Sequence, residues 1–222
     1  MNVGCAMDSR QRCFELLSKN DFDAVRRLIE EDPAAAEARD ANGVSLLMQC
    51  LYRGRRDLAE LTASKKKSLD IFEASSVGRL ERLGELARDS ASANARSADG
   101  FTALHFACFF GQAESARVLI ENGAAVDAVA ANPMKVMPLH SAASVRNLEA
   151  ARLLLEHGAP VNARQQGGWA PIHAAAQNGD RSLVVLLLKH GADSRLANDD
   201  GKTPASVARE KGHQEIASLL DK

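Results

Sequence analysis

Six histidines, four cysteines and one Gly-Lys-Thr triplet are the residues in this 222-residue chain that could do chemistry. Histidine can serve as a general base near neutral pH or ligate a metal. Cysteine can hold zinc or attack as a thiolate. Spacing decides among these roles. A zinc centre needs three or four ligands converging within about 2 Å of the ion. His105, His140 and His173 stand 35 and 33 residues apart, His157 and His190 another 33, and His213 alone near the carboxyl end. Cys5, Cys13, Cys50 and Cys108 form no C-x-x-C pair. No metal centre is expected, and structural histidine is the better reading. Cys13, Cys50 and Cys108 lie in apolar helical patterns, where cysteine is a small buried hydrophobe. Reduced thiols place the protein in the cytoplasm.

Gly201-Lys202-Thr203 has the ending of a phosphate-binding loop. That loop needs a glycine five residues before Gly201, and Leu196 stands there. Pro204 also removes an N–H that a phosphate cradle would use. Asn198-Asp199-Asp200-Gly201 has the start of a calcium loop, but Val207 occupies the place of its closing glutamate. No nucleotide, cofactor or cation is expected. One catalytic alternative remains, a polar pair of Asp99 and His105 in an enzyme or small-ligand site. A lone carboxylate and a histidine do not by themselves make a water-excluding pocket.

Composition narrows the partners. Lysine plus arginine (28) nearly cancels aspartate plus glutamate (29), so no basic field draws in nucleic acid or an anionic membrane. The longest basic run, Lys65-Lys66-Lys67, reads as a solvated loop between apolar segments. No apolar stretch approaches the ~20 residues needed to cross a bilayer, and the amino terminus lacks the apolar core of a signal peptide. Aromatics are 4% of residues, so the core must be built from Leu, Ala, Val and Ile. Close helix-on-helix packing suits that set.

The elements that carry these residues recur. Thr102-Ala103-Leu104-His105 returns as Met137-Pro138-Leu139-His140, as Ala170-Pro171-Ile172-His173 and as Thr203-Pro204-Ala205-Ser206, in steps of 35, 33 and 33 residues. A second phrase keeps time with it. Val118-Leu119-Ile120-Glu121-Asn122-Gly123-Ala124 matches Leu153 to Ala159 and Leu186 to Ala192. A period near 33 is a repeat signature. At these residues the chain resembles the ankyrin repeat family, closely from Asn94 onward and more faintly upstream. The resemblance implies an all-α solenoid of stacked helix-turn-helix units with projecting fingers.

Seven units are expected. They are an amino-terminal cap (8–40), a degenerate unit (41–67), a second degenerate unit without a finger (68–96), three well-formed units (97–129, 130–163, 164–196) and a carboxyl-terminal cap (197–222). Pro138, Pro171 and Pro204 fit the first turn of a helix, where a missing N–H costs little. Thr102 and Thr203 can cap the helix start. Gly123, Gly158 and Gly191 suit the position just past a helix end. Gly111, Gly179 and Gly212 suit a left-handed turn between two helices. The fifth unit puts Arg146-Asn147 at that turn. Asn147 tolerates a left-handed backbone, so the turn is expected to shift by one residue. No unit can bury its apolar face alone, so stability comes from the contacts between units.

The resemblance implies a protein partner, held on a concave face of finger tips and inner helices. On that face the fourth unit places Phe101, Phe109 and Phe110, the fifth Val136, the sixth Trp169 and the second Tyr52. An aromatic side chain offers about 150–250 Å² of contact area. A contiguous apolar patch of such residues marks a partner site. The competing reading is that Phe101 and Trp169 pack across adjacent fingers and that Phe110 turns into the groove between units. The expected function is a protein-interaction module, not an enzyme.

Overall fold

Prolines open the inner helices. Pro138, Pro171 and Pro204 each occupy the first turn of a helix. The computed structural model describes residues 8–221. Cys5 lies outside them. The chain divides after Glu73 into two compact units.

The first unit holds α1 (Ser9–Ser18), α2 (Phe22–Glu31), a 3-10 turn (Pro33–Glu37), α3 (Leu46–Tyr52) and α4 (Arg56–Lys65). Asp21 caps α2 by accepting the Ala24 N–H at 3.1 Å, and Ser45 caps α3 by accepting the Met48 N–H at 3.3 Å. Asn20 carries the turn between α1 and α2 at φ 56°. The apolar sides of these helices bury Cys13, Leu17, Val25, Ile29, Leu46, Leu47 and Leu58. A short finger turns at Asp40, whose Oδ1 accepts the N–H groups of Asn42 and Val44 at 2.9 and 3.0 Å. A bridge from Arg39 to Ser45 closes it.

The Lys65-Lys66-Lys67 run departs from the solvated loop expected of it. Lys65 and Lys67 are exposed, but the Lys66 side chain is only 3% exposed. Its ammonium lies 3.1 Å from Glu37 and 3.3 Å from Glu73, which is itself 1% exposed. The physical reason is the missing finger. With only residues 66–70 joining α4 to α5 (Ile71–Val77), the middle lysine is drawn under the chain. Two carboxylates there compensate its desolvation. Glu73 also accepts the Asp70 N–H at 3.1 Å, while Asp70 accepts the Glu73 N–H at 2.9 Å. That reciprocal pair starts α5.

The second unit continues with α6 (Leu80–Leu86), α7 (Ser90–Ala93), α8 (Ala103–Phe109), α9 (Ala113–Glu121), α10 (Pro138–Ser144) and α11 (Leu148–Glu156). A 3-10 turn (Gln166–Gly168) precedes α12 (Pro171–Gln177), α13 (Arg181–Lys189), α14 (Pro204–Glu210) and α15 (Gln214–Leu220). Consecutive helices pair, α8 with α9, α10 with α11, α12 with α13 and α14 with α15. Across the pairs α8, α10, α12 and α14 form an inner row, and α9, α11 and α13 an outer one. Small residues set the spacing. Ala107, Ala142, Ala143, Ala175 and Ala176 are fully buried along the inner row. Leu119, Leu154, Leu183 and Leu187 fill the space between rows. The period of 33 thus becomes one layer of packing per unit. The fold is all α, with two isolated β-bridges among the described residues.

The fifth unit solves its turn differently from expectation. Arg146 itself takes the left-handed conformation, at φ 59°. Asn147 has φ −79° and caps α11, accepting the Ala150 N–H at 3.2 Å. The turn does not shift because the cap needs Asn147 in register. The left-handed strain falls on Arg146, whose guanidinium bonds the Asn178 carbonyl of the next unit.

Candidate partner-binding surface

Three ladders hold the inner helices and fingers in place. The first is made of histidine. The Nδ1 atoms of His105, His140 and His173 accept the N–H groups of Thr102, Met137 and Ala170 at 3.2, 3.2 and 3.1 Å. That fixes the proton on Nε2, which donates to a carbonyl in or just before the following finger. His105 reaches Val136 at 2.9 Å, His140 reaches Ala163 at 3.0 Å and Trp169 at 3.2 Å, and His173 reaches Lys202 at 3.1 Å. Burial pushes the His105 pKa down to about 4 and lowers those of His140 and His173. Both ring nitrogens of His105 are therefore occupied, and the ring is neutral at pH 7. It has no free lone pair with which to act beside Asp99, which bonds the Ser97 hydroxyl.

A second ladder runs along the turns, and the sequence reading missed it. Gln112 donates to the Ser76 carbonyl at 3.2 Å, and Asn147 donates to Cys108 at 3.1 Å. Asn178 donates to Ala143 and Ser144 at 3.3 and 3.1 Å. Each amide satisfies carbonyls left open where an inner helix ends. The signal was an amide residue next to each turn, but Gln112 and Asn147 follow the left-handed residue whereas Asn178 precedes it. A third ladder joins finger tips through the backbone. Ala131 donates to Gly100 at 2.8 Å, Gln166 to Met134 at 2.9 Å and Asp199 to Gly167 at 3.0 Å. Gly167 and Gly168 have φ 77° and 73°. A Cβ on Gly168 would lie 2.3 Å from Asp199 Oδ1 and 2.4 Å from the Arg164 guanidinium, which pair across it at 2.8 Å.

On this frame the inner helices end in side chains that face outward beside the fingers. Phe109, the last residue of α8, is 44% exposed. Its ring meets Phe110 edge-on at 5.2 Å. Phe110 stacks on Phe106 at 6.3 Å, and Phe106 meets Phe101 at 5.7 Å. All four rings thus form one cluster, with Phe106 as its buried root. Phe101 and Phe110 are half-buried, packed on that root, and Phe109 carries most of the exposed ring surface. Val136 is half-buried at the base of the next finger, with its carbonyl held by His105. Met134 and Val145 of the same repeat are 46% and 39% exposed.

Trp169 stands apart from that cluster. It is half-buried and packs edge-on against His173 of its own repeat, at 5.5 Å. With Ser144, Gln165, Gln166, Ala174, Gln177 and Asn178 it lines a cavity of about 410 Å³ between finger and inner helices. The helix that places Ser144 there, α10, packs between α8 and α12. Tyr52 ends α3 in the amino-terminal unit and is 42% exposed.

Charge on this surface is largely self-paired at its carboxyl-terminal end, where Lys202 meets Glu210 at 2.7 Å. Among the described residues no group of three or more His, Cys, Asp or Glu could hold a metal ion. No described helix is long and apolar enough to cross a membrane. Cys13, Cys50 and Cys108 are buried free thiols. Burial pushes Cys13 up to about 11 and Cys50 up to about 12, which suppresses the reactive thiolate.

Comparison with curated proteins finds no match. A family model described as ankyrin repeats, in three copies, matches residues 71–165 and 159–222. The two matches cover more than half of the chain and coincide with the repeating helix pairs, the histidine ladder and the fingers. This chain belongs to the ankyrin repeat family.

Proposed function

We propose that the chain is a protein-interaction module that binds a partner protein on the face made by the fingers and inner helices of its carboxyl-terminal unit. Ankyrin repeats in general are protein-interaction modules, and the histidine ladder engages both ring nitrogens of His105, His140 and His173 in holding the repeats together. The observation that carries the reading is Phe109. A phenyl ring 44% exposed at a helix end and braced by Phe110 is costly to leave in water. At roughly 25 cal/mol per Å² of apolar area, covering such rings contributes a few kcal/mol before association costs. Phe101, Phe110, Val136 and Trp169 supply the flanks, and Tyr52 is a separate contact on the amino-terminal unit. The three buried thiols suit the reducing cytoplasm.

The test is affinity capture from a native lysate with the wild type, Phe109→Ala and the Phe109→Ala, Phe110→Ala double variant. Phe109→Ala is expected to cost about 1 kcal/mol of stability, because the ring is 44% exposed at the end of its helix. The expected result is a partner retained by the wild type and lost by both variants, with their circular dichroism unchanged. Equal capture by folded variants removes the proposal.

A further inference from the structure

Three asparagine–glycine pairs occur in the chain, Asn42-Gly43, Asn122-Gly123 and Asn178-Gly179. Such a pair is prone to lose its side-chain amide, because no Cβ on the second residue screens the backbone nitrogen that attacks it. All three share one backbone geometry. Gly43, Gly123 and Gly179 have φ 81°, 84° and 65°. Their N–H groups donate to Asp40, Ile120 and Ala176 carbonyls, at 2.9, 3.0 and 3.2 Å. The backbone therefore does not rank them, but the side chains do. Asn122 Nδ2 donates to the Val118 carbonyl at 2.8 Å. Asn178 Nδ2 donates to Ala143 and Ser144 at 3.3 and 3.1 Å. Both residues are half-buried. Asn42 is exposed on the short finger of the amino-terminal unit, and its side chain makes no hydrogen bond among the described residues.

We infer that Asn42 is a site of spontaneous deamidation, and that the change opens its finger. The Gly43 nitrogen gives its proton to solvent base and bonds to Asn42 Cγ. The side-chain nitrogen leaves as ammonia, and a cyclic imide remains. Water then adds to either imide carbonyl. Breaking the bond from nitrogen to Cγ leaves an aspartate. Breaking the bond from nitrogen to the main-chain carbon leaves an isoaspartate, whose chain runs through the former side chain. One water enters, one ammonia departs, and nothing is oxidised or reduced. The turn bond from Gly43 must open first, which an exposed loop tip does at low cost. Asn122 and Asn178 must in addition give up a side-chain bond. The isoaspartate link is longer by one methylene, inside a loop held across that link. The Asp40 N–H donates to Val44 at 2.9 Å, Asp40 Oδ1 accepts the Val44 N–H at 3.0 Å, and Arg39 donates to the Gly43 carbonyl at 2.9 Å. Either product also sets a new carboxylate beside Asp40, whose Oδ1 lies 2.9 Å from the Asn42 nitrogen.

The experiment is incubation of the whole chain in water at pH 6.0 and 8.5, followed by peptide mapping with mass spectrometry that separates aspartate from isoaspartate. Deamidation should accumulate at Asn42 first, as a mixture of both products, and faster at pH 8.5, where more of the attacking nitrogen is deprotonated. Asn122 and Asn178 should lag by about fivefold or more, the factor set by one extra hydrogen bond to break. In concentrated urea the three rates should converge, because the fold then ranks nothing. Amide exchange at Val44 should quicken in the deamidated chain, while Asn42→Gln, aged in parallel, keeps the free rate of the fresh protein. Asn122 or Asn178 reacting as fast as Asn42 in the folded chain overturns the inference. So does an Asn42 that stays intact when folded but reacts in urea, since the turn bond would then protect it. Aspartate without isoaspartate excludes the cyclic imide, and unchanged Val44 exchange in the deamidated chain refutes the opening of the finger.

Discussion

His105 Nε2 lies 2.9 Å from the carbonyl oxygen of Val136, in the following repeat, while its Nδ1 accepts the Thr102 N–H at 3.2 Å. One imidazole therefore caps its own helix and ties it to the next finger. Only the neutral ring can do both, because protonated Nδ1 has no lone pair to accept with.

Stability should therefore depend on pH in a defined window. The folded state lowers the His105 pKa from 6.5 to about 4. Between those values the unfolded chain binds more protons, so the stabilisation is complete above pH 6.5 and is lost as pH falls to about 4. For His105 alone the full difference is on the order of 3 kcal/mol. His140 and His173 act in the same direction. Urea unfolding at pH 7.0 and 4.5 should show the loss, and His105→Gln should flatten it. An unchanged slope with pH in that variant would assign the acid sensitivity to other groups.

The buried ammonium of Lys66 makes a second expectation. Lys66→Ala leaves Glu73, 1% exposed, and Glu37 without their cation. Removing one partner of a buried pair costs about 3–5 kcal/mol. Lys67→Ala truncates an exposed side chain, while the backbone N–H that Glu37 accepts at 2.8 Å remains. Its effect should stay within about 0.5 kcal/mol. Denaturant midpoints of the two variants measure the contrast. Equal effects would mean that the lysines share one solvated environment.

Arg146 and Gly179 occupy equivalent turns with opposite costs. Gly179 has φ 65°, and a Cβ there would lie 2.7 Å from the His213 ring. Gly179→Ala should destabilise by about 2 kcal/mol. Arg146→Gly removes a left-handed strain of roughly 1–2 kcal/mol, partly offset by greater chain entropy and the lost bond to Asn178. A net gain of up to about 1 kcal/mol in thermal unfolding is expected. A loss above that size would show that Arg146 holds the turn through its side chain.

Much of this architecture is legible in the sequence because a repeat states its rules several times. Pro138, Pro171 and Pro204 declare three helix starts, and the His105, His140 and His173 positions are fixed by the same phrase. Where the pattern lapses, the reading fails for local reasons. Lys66 looks like a solvated charge because nothing in the sequence shows Glu37, 29 residues earlier, arriving beside it. Arg146 looks unfit for a left-handed turn because propensity is local, whereas the cap at Asn147 fixes the register. At the candidate surface the residue types are legible, but exposure is not. Phe101, Phe109 and Phe110 read alike until Phe106 is seen to root two of them and leave Phe109 outward. The groove beside Trp169 combines a finger with the ends of two inner helices, so no contiguous motif announces it.

The central claim is that a partner protein covers the fingers and inner-helix ends of the carboxyl-terminal unit. Hydrogen–deuterium exchange of the chain with and without its captured partner tests this most directly. Exchange should slow at Phe109 and Phe110, around Met134 to Val136 and across Gln165 to Trp169, while α9, α11 and α13 keep their free rates. Protection confined to the outer helices, with the finger tips unchanged, would contradict the account.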